Sequence, residues 1–145
     1  MSALDAAALK GVTIFSTLAP EQVSRVSGAG DVVEYPAGDT LTEEGAIGHR
    51  FYLILDGSAE VVRGGQAVDT LGRGDFVGEI GLLGGGRSTG TVTCTSPTTC
   101  LTIRRERFWE LLESEPGIAL RILEVVCRRL ERDRLSSPRG NLSSN

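Results

Sequence analysis

Residues 76–92, F-V-G-E-I-G-L-L-G-G-G-R-S-T-G-T-V, combine one carboxylate, one arginine, several glycines and three hydroxyls in a short segment, here called the anion segment. Glycines let backbone N–H groups approach an anion closely, and a helical turn beginning at Gly78–Glu79 would point free N–H groups at it. The guanidinium of Arg87 can donate two parallel, charge-assisted hydrogen bonds to a phosphate. Glu79 can accept hydrogen bonds from sugar hydroxyls. The anion segment therefore predicts a site for a ribose phosphate.

The segments that must position this site are short and resemble β-strands. Turn signals rich in glycine and proline separate them, which favours many short strands over a few long ones. Such a pattern is typical of a closed antiparallel barrel or jelly roll. The predicted strands cover residues 32–35, 41–42, 51–55, 59–63, 67–71, 91–94 and 99–103.

Helical patterns flank the strands on both sides. Pro20 suits the first turn of a short helix, and Ile118, Ile122 and Val126 recur every four residues further on, which predicts an apolar helix face. We expect a single domain over residues 1–135 followed by a disordered polar tail over 136–145. Its predicted parts are a helical N-terminus (1–28), a β jelly roll (30–103) and C-terminal helices (104–134).

Together these residues resemble the cyclic nucleotide-binding domain family, the regulatory module of cAMP- and cGMP-responsive proteins. The matching blocks are Y-P-A-G-D-T-L at 35–41, E-G at 44–45, F-Y-L-I-L-D-G at 51–57 and G-D-F at 74–76, which leads into the anion segment. The resemblance runs from about Phe15 to Leu130. It implies a mainly β fold, an antiparallel jelly-roll barrel (double-stranded β-helix) with flanking helices. It also implies a non-catalytic role in signal transduction, in which cAMP or cGMP changes the position of the C-terminal helices.

The resemblance also assigns the ligand contacts, with Arg87 on the phosphate and Glu79 on the ribose hydroxyl. In most family members the arginine follows the glutamate by nine positions, whereas Arg87 follows Glu79 by eight and Ser88 takes the ninth place. Either the loop shifts so that Arg87 reaches the phosphate, or the phosphate contact is weaker. The predicted ligand-binding residues are Gly78, Glu79, Ile80, Gly81, Arg87, Ser88 and Thr89.

The sequence leaves two other functions to consider. A ligand-free relative of the same fold would act as a protein-docking or dimerisation module, and Ser88 favours that alternative. An enzyme of the β-barrel cupin type would need a histidine-rich metal cluster, and the chain has one histidine, His49. We therefore expect neither catalysis nor a metal, and no cofactor apart from the nucleotide ligand.

Charge and composition limit the kinds of partner that we expect this chain to bind. A net charge of −4 argues against a nucleic-acid partner, and no apolar run has the length of a membrane span. No secretory signal is visible, and three cysteines without metal spacing indicate small core residues in a reducing compartment, hence a cytoplasmic protein. The expected partners are a cyclic purine nucleotide and, through the C-terminal helices, a second copy of the chain or an effector protein.

Overall fold

Two four-stranded antiparallel sheets form the centre of the computed structural model, which describes residues 19–78 and 86–136. The first sheet has the strand order β1-β8-β3-β6 and the second has the order β2-β7-β4-β5. This alternation of strands between two facing sheets is the jelly-roll arrangement. The strands are β1 (Asp31–Tyr35), β2 (Thr40–Thr42), β3 (Arg50–Asp56), β4 (Ala59–Arg63), β5 (Gln66–Leu71), β6 (Phe76–Val77), β7 (Thr91–Cys94) and β8 (Thr98–Arg104).

Strand β3 shows how each face of the first sheet is used. Side chains alternate between faces along a strand. Phe51 and Leu53 belong to an apolar cluster shared with the helices, whereas Tyr52 and Ile54 belong to a second cluster contributed by both sheets. The face that carries Tyr52 and Ile54 therefore looks into the space between the sheets, and we call it the inner face.

The outer face of the first sheet is covered by three helices, α1 (Pro20–Gly28), α2 (Arg105–Ser114) and α3 (Pro116–Ser136). The ring of Phe108 stacks on that of Phe51 with centroids 4.5 Å apart, and Ile118 and Ile122 at the start of α3 are buried in the same cluster. Burial of each such side chain stabilises the fold by about 1.5–3 kcal/mol. None of the helices in residues 19–78 and 86–136 is long and apolar enough to cross a membrane.

The expected fold class, a mainly β antiparallel jelly roll with flanking helices, is confirmed. The strand bounds agree with the predicted ones to within one or two residues, and Phe76–Val77 forms an additional short strand, β6, that the pattern did not predict. Helix α3 continues to Ser136, slightly beyond the predicted end at 134. Residues 1–18 of the predicted helical N-terminus and most of the predicted tail, 137–145, lie outside the described residues.

Candidate functional site

Gly78 marks the point at which the anion segment leaves the first sheet. Strand β6 pairs with β3 through Val77 opposite Tyr52, so Gly78 lies beside the start of β3. Its φ is +99°, a left-handed conformation that glycine adopts without a steric penalty. A Cβ at this position would overlap the carbonyl oxygen of Arg50. Only glycine therefore lets the backbone pass this close to β3.

The segment is held again at residues 86–88, which run antiparallel to the loop at residues 45–48. The Gly48 N–H donates to the Gly86 carbonyl at 2.7 Å, and the Ser88 N–H donates to the Ala46 carbonyl at 2.8 Å. A third bond, from the Gly45 N–H to the Ser88 carbonyl, measures 2.8 Å. The anion segment is thus anchored at Gly78 and again at residues 86–88, and both anchors lie close to residues 48–50.

Arg87 is exposed, and its guanidinium is already engaged. Its Nη1 donates to the carbonyl oxygen of Gly45 at 2.7 Å. Burial alternates along the following residues: Gly90 and Val92 are buried and Ser88 is half-buried, whereas Arg87 is exposed. Ser88 therefore shares the side of the buried residues, and the bond to Gly45 occupies one of the five N–H donors of Arg87.

The residues after Arg87 are fixed by contacts with neighbouring loops. The Nε of Arg63 donates to the carbonyl of the exposed Thr89 at 3.0 Å. Gly90 is so closely packed that a Cβ there would lie 3.1 Å from Val61 Cγ1. The Thr91 hydroxyl accepts a hydrogen bond from the Glu44 N–H at 3.0 Å, so this hydroxyl has a structural partner. These contacts set the position from which the anion segment approaches any ligand.

Polar side chains line the inner face of the first sheet where it opens toward the anion segment. The hydroxyls of Tyr35 and Thr102 are hydrogen-bonded at 2.9 Å, and the rings of Tyr35 and Tyr52 meet edge to face with centroids 6.0 Å apart. Burial raises the pKa of the Tyr52 hydroxyl and the neighbouring Tyr35 raises it further, whereas the charge of Arg50 lowers it. Arg50 and Tyr52 are therefore neighbours on this face. Sequence reasoning missed Arg50, although its two-residue spacing from Tyr52 placed both side chains on one face.

The loop at residues 45–49 also contacts the first C-terminal helix. The Arg105 N–H donates to the carbonyl of His49 at 2.9 Å, and Arg105 Nη1 donates to the carbonyl of Gly48 at 3.1 Å. Because Gly48 also bonds to Gly86, a single loop is hydrogen-bonded to both the anion segment and the start of α2.

The structure brings three of the expected ligand-binding residues, Gly78, Arg87 and Ser88, to the region around residues 45–50, and Thr89 directly follows them. The other three, Glu79, Ile80 and Gly81, lie outside the described residues, and the set as a whole stays a prediction. Within the described part of the chain, no group of three or more His, Cys, Asp or Glu side chains could hold a metal ion.

Known proteins resemble this chain in sequence and in fold. A cAMP-dependent protein kinase regulatory subunit of Hypocrea atroviridis is 34% identical over 113 residues, which cover 78% of this chain and 24% of the relative. A cGMP-dependent protein kinase of Eimeria tenella is 38% identical over 88 residues, or 61% of this chain and 9% of that protein. The chain thus spans about a quarter or less of the length of these relatives.

A solved structure gives the same result for the fold. The catabolite activator protein of Thermus thermophilus matches with a TM-score of 0.75 and 29% identity over 84% of this chain and 60% of that chain. Residues 32–115, more than half of the sequence, match the family model described as the cyclic nucleotide-binding domain. This stretch contains seven whole strands, β1 without its first residue, both anchors of the anion segment and helix α2. The chain belongs to the cyclic nucleotide-binding domain family.

Proposed function

We propose that this domain binds a cyclic purine nucleotide, cAMP or cGMP, and acts as a regulatory sensor. The observation that carries the proposal is the anchoring of the anion segment at Gly78 and at residues 86–88, both beside residues 48–50. A glycine-rich segment fixed at both ends can present backbone N–H groups to a phosphate at little conformational cost. The resemblance to cAMP- and cGMP-dependent kinase chains supports a cyclic nucleotide as the ligand.

In the proposed complex, the phosphate and the ribose of the nucleotide are bound by different kinds of group. Arg87 and the N–H groups near Gly78–Ile80 take the cyclic phosphate, Glu79 accepts from the ribose hydroxyl, and Gly81, Ser88 and Thr89 complete the set. Arg87 exchanges its bond to the Gly45 carbonyl for one to the phosphate. The guanidinium charge already assists the bond to the Gly45 carbonyl, and a phosphate adds an anionic acceptor that can take two parallel N–H bonds. This difference favours the exchange.

Ligand binding is proposed to reposition helices α2 and α3. The loop at residues 45–49 bonds to the anion segment through Gly48 and to α2 through Arg105. A ligand shifts such an equilibrium only as far as its affinities for the two arrangements differ. The differential contact proposed here is the Arg87–Gly45 bond, which the bound phosphate removes.

The same proposal describes a non-catalytic, cytoplasmic module that spans residues 1–135 as one domain. The thiols of Cys94, Cys100 and Cys127 are all free, which supports a reducing compartment. The output would then pass to an effector protein or a second copy of the chain through the C-terminal helices.

A second candidate is a ligand-free docking or dimerisation module. Two observations favour it: Arg87 is already bonded to Gly45, and Leu120 and Leu123 on α3 are exposed to 66% and 57%. The two leucines are three residues apart and so lie on one side of the helix, where they form a small apolar surface for a partner. A nucleotide-binding measurement separates the two candidates.

Isothermal titration calorimetry with cAMP and cGMP is that measurement, supported by thermal unfolding. Binding should give saturable heat, and ligand at a hundred times its Kd should stabilise the fold by about 2.7 kcal/mol. Glu79→Ala should weaken binding, whereas Arg73→Ala, a change in the remote turn at residues 72–74, should leave it unchanged. Absence of heat and of a thermal shift at millimolar concentrations of both nucleotides would refute nucleotide binding and favour the docking module.

A further inference from the structure

Two arginines lie directly opposite each other at one end of the first sheet. Arg50 begins β3, Arg104 ends β8, and the antiparallel register pairs them. Directly opposite residues in an antiparallel pair project from the same face. Both residues are exposed. The two arginine side chains therefore leave the same face of the sheet, at the end nearest the anion segment.

The face that carries them is the inner one. Along β3, Arg50 is two residues before Tyr52, which belongs to the cluster between the sheets. Along β8, Arg104 is two residues after Thr102, whose hydroxyl is bonded to Tyr35. The alternation of a strand places residues two apart on one face. The arginine pair thus continues the polar edge formed by these three hydroxyl side chains.

This pair has no counter-charge in the described part of the chain. Like charges directly opposite each other destabilise a strand pair. Ion pairs in residues 19–78 and 86–136 involve other arginines, such as Arg25 and Arg128, and none joins Arg50 or Arg104 to a described carboxylate. An anion placed between the two guanidinium groups would remove the repulsion.

The pair also lies between the two anchors of the anion segment. A Cβ on Gly78 would overlap the carbonyl of Arg50 itself, and Gly86 is bonded to Gly48, two residues before Arg50. Arg87, in contrast, is exposed and bonded to Gly45, and the half-buried residue beside it is the uncharged Ser88. On the inner face, the pairing of β3 with β8 therefore brings Arg50 and Arg104 to the end of the sheet beside these anchors.

We propose that Arg50 and Arg104 form a second phosphate-binding pair, in which Arg50 contacts the cyclic phosphate and Arg104 adds positive charge beside it. The inference rests on the proposed function and assigns part of the phosphate contact to strand residues outside the anion segment. It gives the site a cation that does not depend on the shifted position of Arg87. The ligand class it requires is a nucleotide that carries a phosphate.

The test compares Arg50→Gln, Arg104→Gln and the control Arg73→Gln by calorimetry with cAMP and cGMP. Arg73 lies near the opposite end of β3, where its Nη1 donates to the Leu55 carbonyl at 3.2 Å. Loss of a hydrogen bond to a charged group should weaken binding by Arg50→Gln about tenfold to a hundredfold, and Arg104→Gln should weaken it less. Binding by Arg73→Gln should stay within about twofold of wild type. Binding by Arg50→Gln should also depend less on salt, because one charge contact has been removed.

Two further measurements separate a phosphate contact from a structural role. Without ligand, Arg50→Gln should melt close to the wild-type temperature, because relief of the repulsion between two facing like charges offsets the loss of the Arg50 hydrogen bond to Tyr52. Inorganic phosphate alone should bind wild type far more weakly than the cyclic nucleotide, which makes sugar and base contacts as well.

The results that would contradict the arginine pair differ from the result that would contradict the proposed function. If wild type binds neither nucleotide, the proposed function fails and the inference fails with it. If wild type binds and Arg50→Gln binds equally well, the function stands and the arginine pair is refuted. If Arg50→Gln loses both affinity and ligand-free stability, Arg50 is a structural residue, and the inference is again overturned. If inorganic phosphate binds as tightly as the nucleotide, the pair is a general anion site and not part of a nucleotide site.

Discussion

The carboxylate of Glu115 joins the N-terminal helix to the junction of the two C-terminal helices, and its removal should measurably loosen that junction. Glu115 follows α2, and its backbone carbonyl accepts the N–H of Ile118 at 3.0 Å in the first turn of α3. Its side chain accepts from Arg25 Nη1 at 2.8 Å and from Gln22 Nε2 at 3.0 Å, both on α1. The residue is only 8% exposed. One residue therefore connects all three helices, through its side chain to α1 and through its backbone to α2 and α3.

The expected cost of Glu115→Ala follows from these two contacts. The Arg25 side chain is 58% exposed, so solvent screens the ion pair and its contribution is about 0.2–1 kcal/mol. The bond from Gln22 to the charged carboxylate contributes about 1.5–3 kcal/mol. The free energy of unfolding should thus fall by about 2–4 kcal/mol, which for a chain of this size lowers Tm by roughly 6–14 °C.

Chemical denaturation of Glu115→Ala, Arg25→Ala and the double variant measures this value and isolates the pair. The double-mutant cycle should give a coupling energy of about 0.2–1 kcal/mol. Glu113→Ala is the matched control, because Glu113 is an exposed glutamate in the last turn of α2, two residues before Glu115. A loss in Glu115→Ala no larger than that in Glu113→Ala would show that the carboxylate does not hold the helices together.

Four further predictions concern the site, the thiols and the C-terminal helix. Arg87→Ala should weaken nucleotide binding about tenfold, less than for a buried charge, because Arg87 is exposed and gives up a bond to bind; calorimetry measures this. Ser88→Arg should tighten binding by about 1 kcal/mol in the same assay, since it adds a cation on the half-buried side. Burial raises the pKa of Cys100 to about 12, so at pH 8 the exposed Cys127 should react rapidly with a thiol reagent and Cys100 only after unfolding. Hydrogen exchange across α3 should change when nucleotide binds.

Each of these predictions has a contrary outcome. Wild-type affinity in Arg87→Ala would mean that the guanidinium stays on Gly45 in the complex. Weaker binding by Ser88→Arg would mean that position 88 does not face the phosphate. Rapid labelling of Cys100 would show that the space between the sheets opens readily. Unchanged exchange across α3 would describe a passive binder that does not move its C-terminal helix.

The jelly roll and its helices could be predicted from the sequence because their signals are local. The runs at 51–55 and 99–103 are strand-like on their own, and Pro20 indicates a helix start without reference to any distant residue. Strand β6 was missed because two residues are too few to show a period, and its assignment depends on pairing with Tyr52 and Leu53.

The site was predicted less completely because much of it depends on long-range pairing. Arg50 and Arg104 are adjacent only through the register of β3 with β8, which no local pattern specifies. The bond from Arg87 to Gly45 likewise joins residues that are 42 positions apart. The position of Arg87 relative to Ser88 is set by the pairing of residues 86–88 with 45–48, and a count along the sequence left it open.

The central claim is that a cyclic nucleotide binds between the anchors of the anion segment and the start of β3. The most direct test is a ¹⁵N–¹H NMR spectrum of the uniformly labelled chain, recorded with and without cAMP or cGMP. We expect saturable shifts for the backbone amides of Gly78, Gly86 and Ser88 and for the Arg50 side chain, while the turn at residues 64–65 between β4 and β5 stays unchanged. No shift with either nucleotide at millimolar concentration, or shifts confined to helix α3, would contradict the claim.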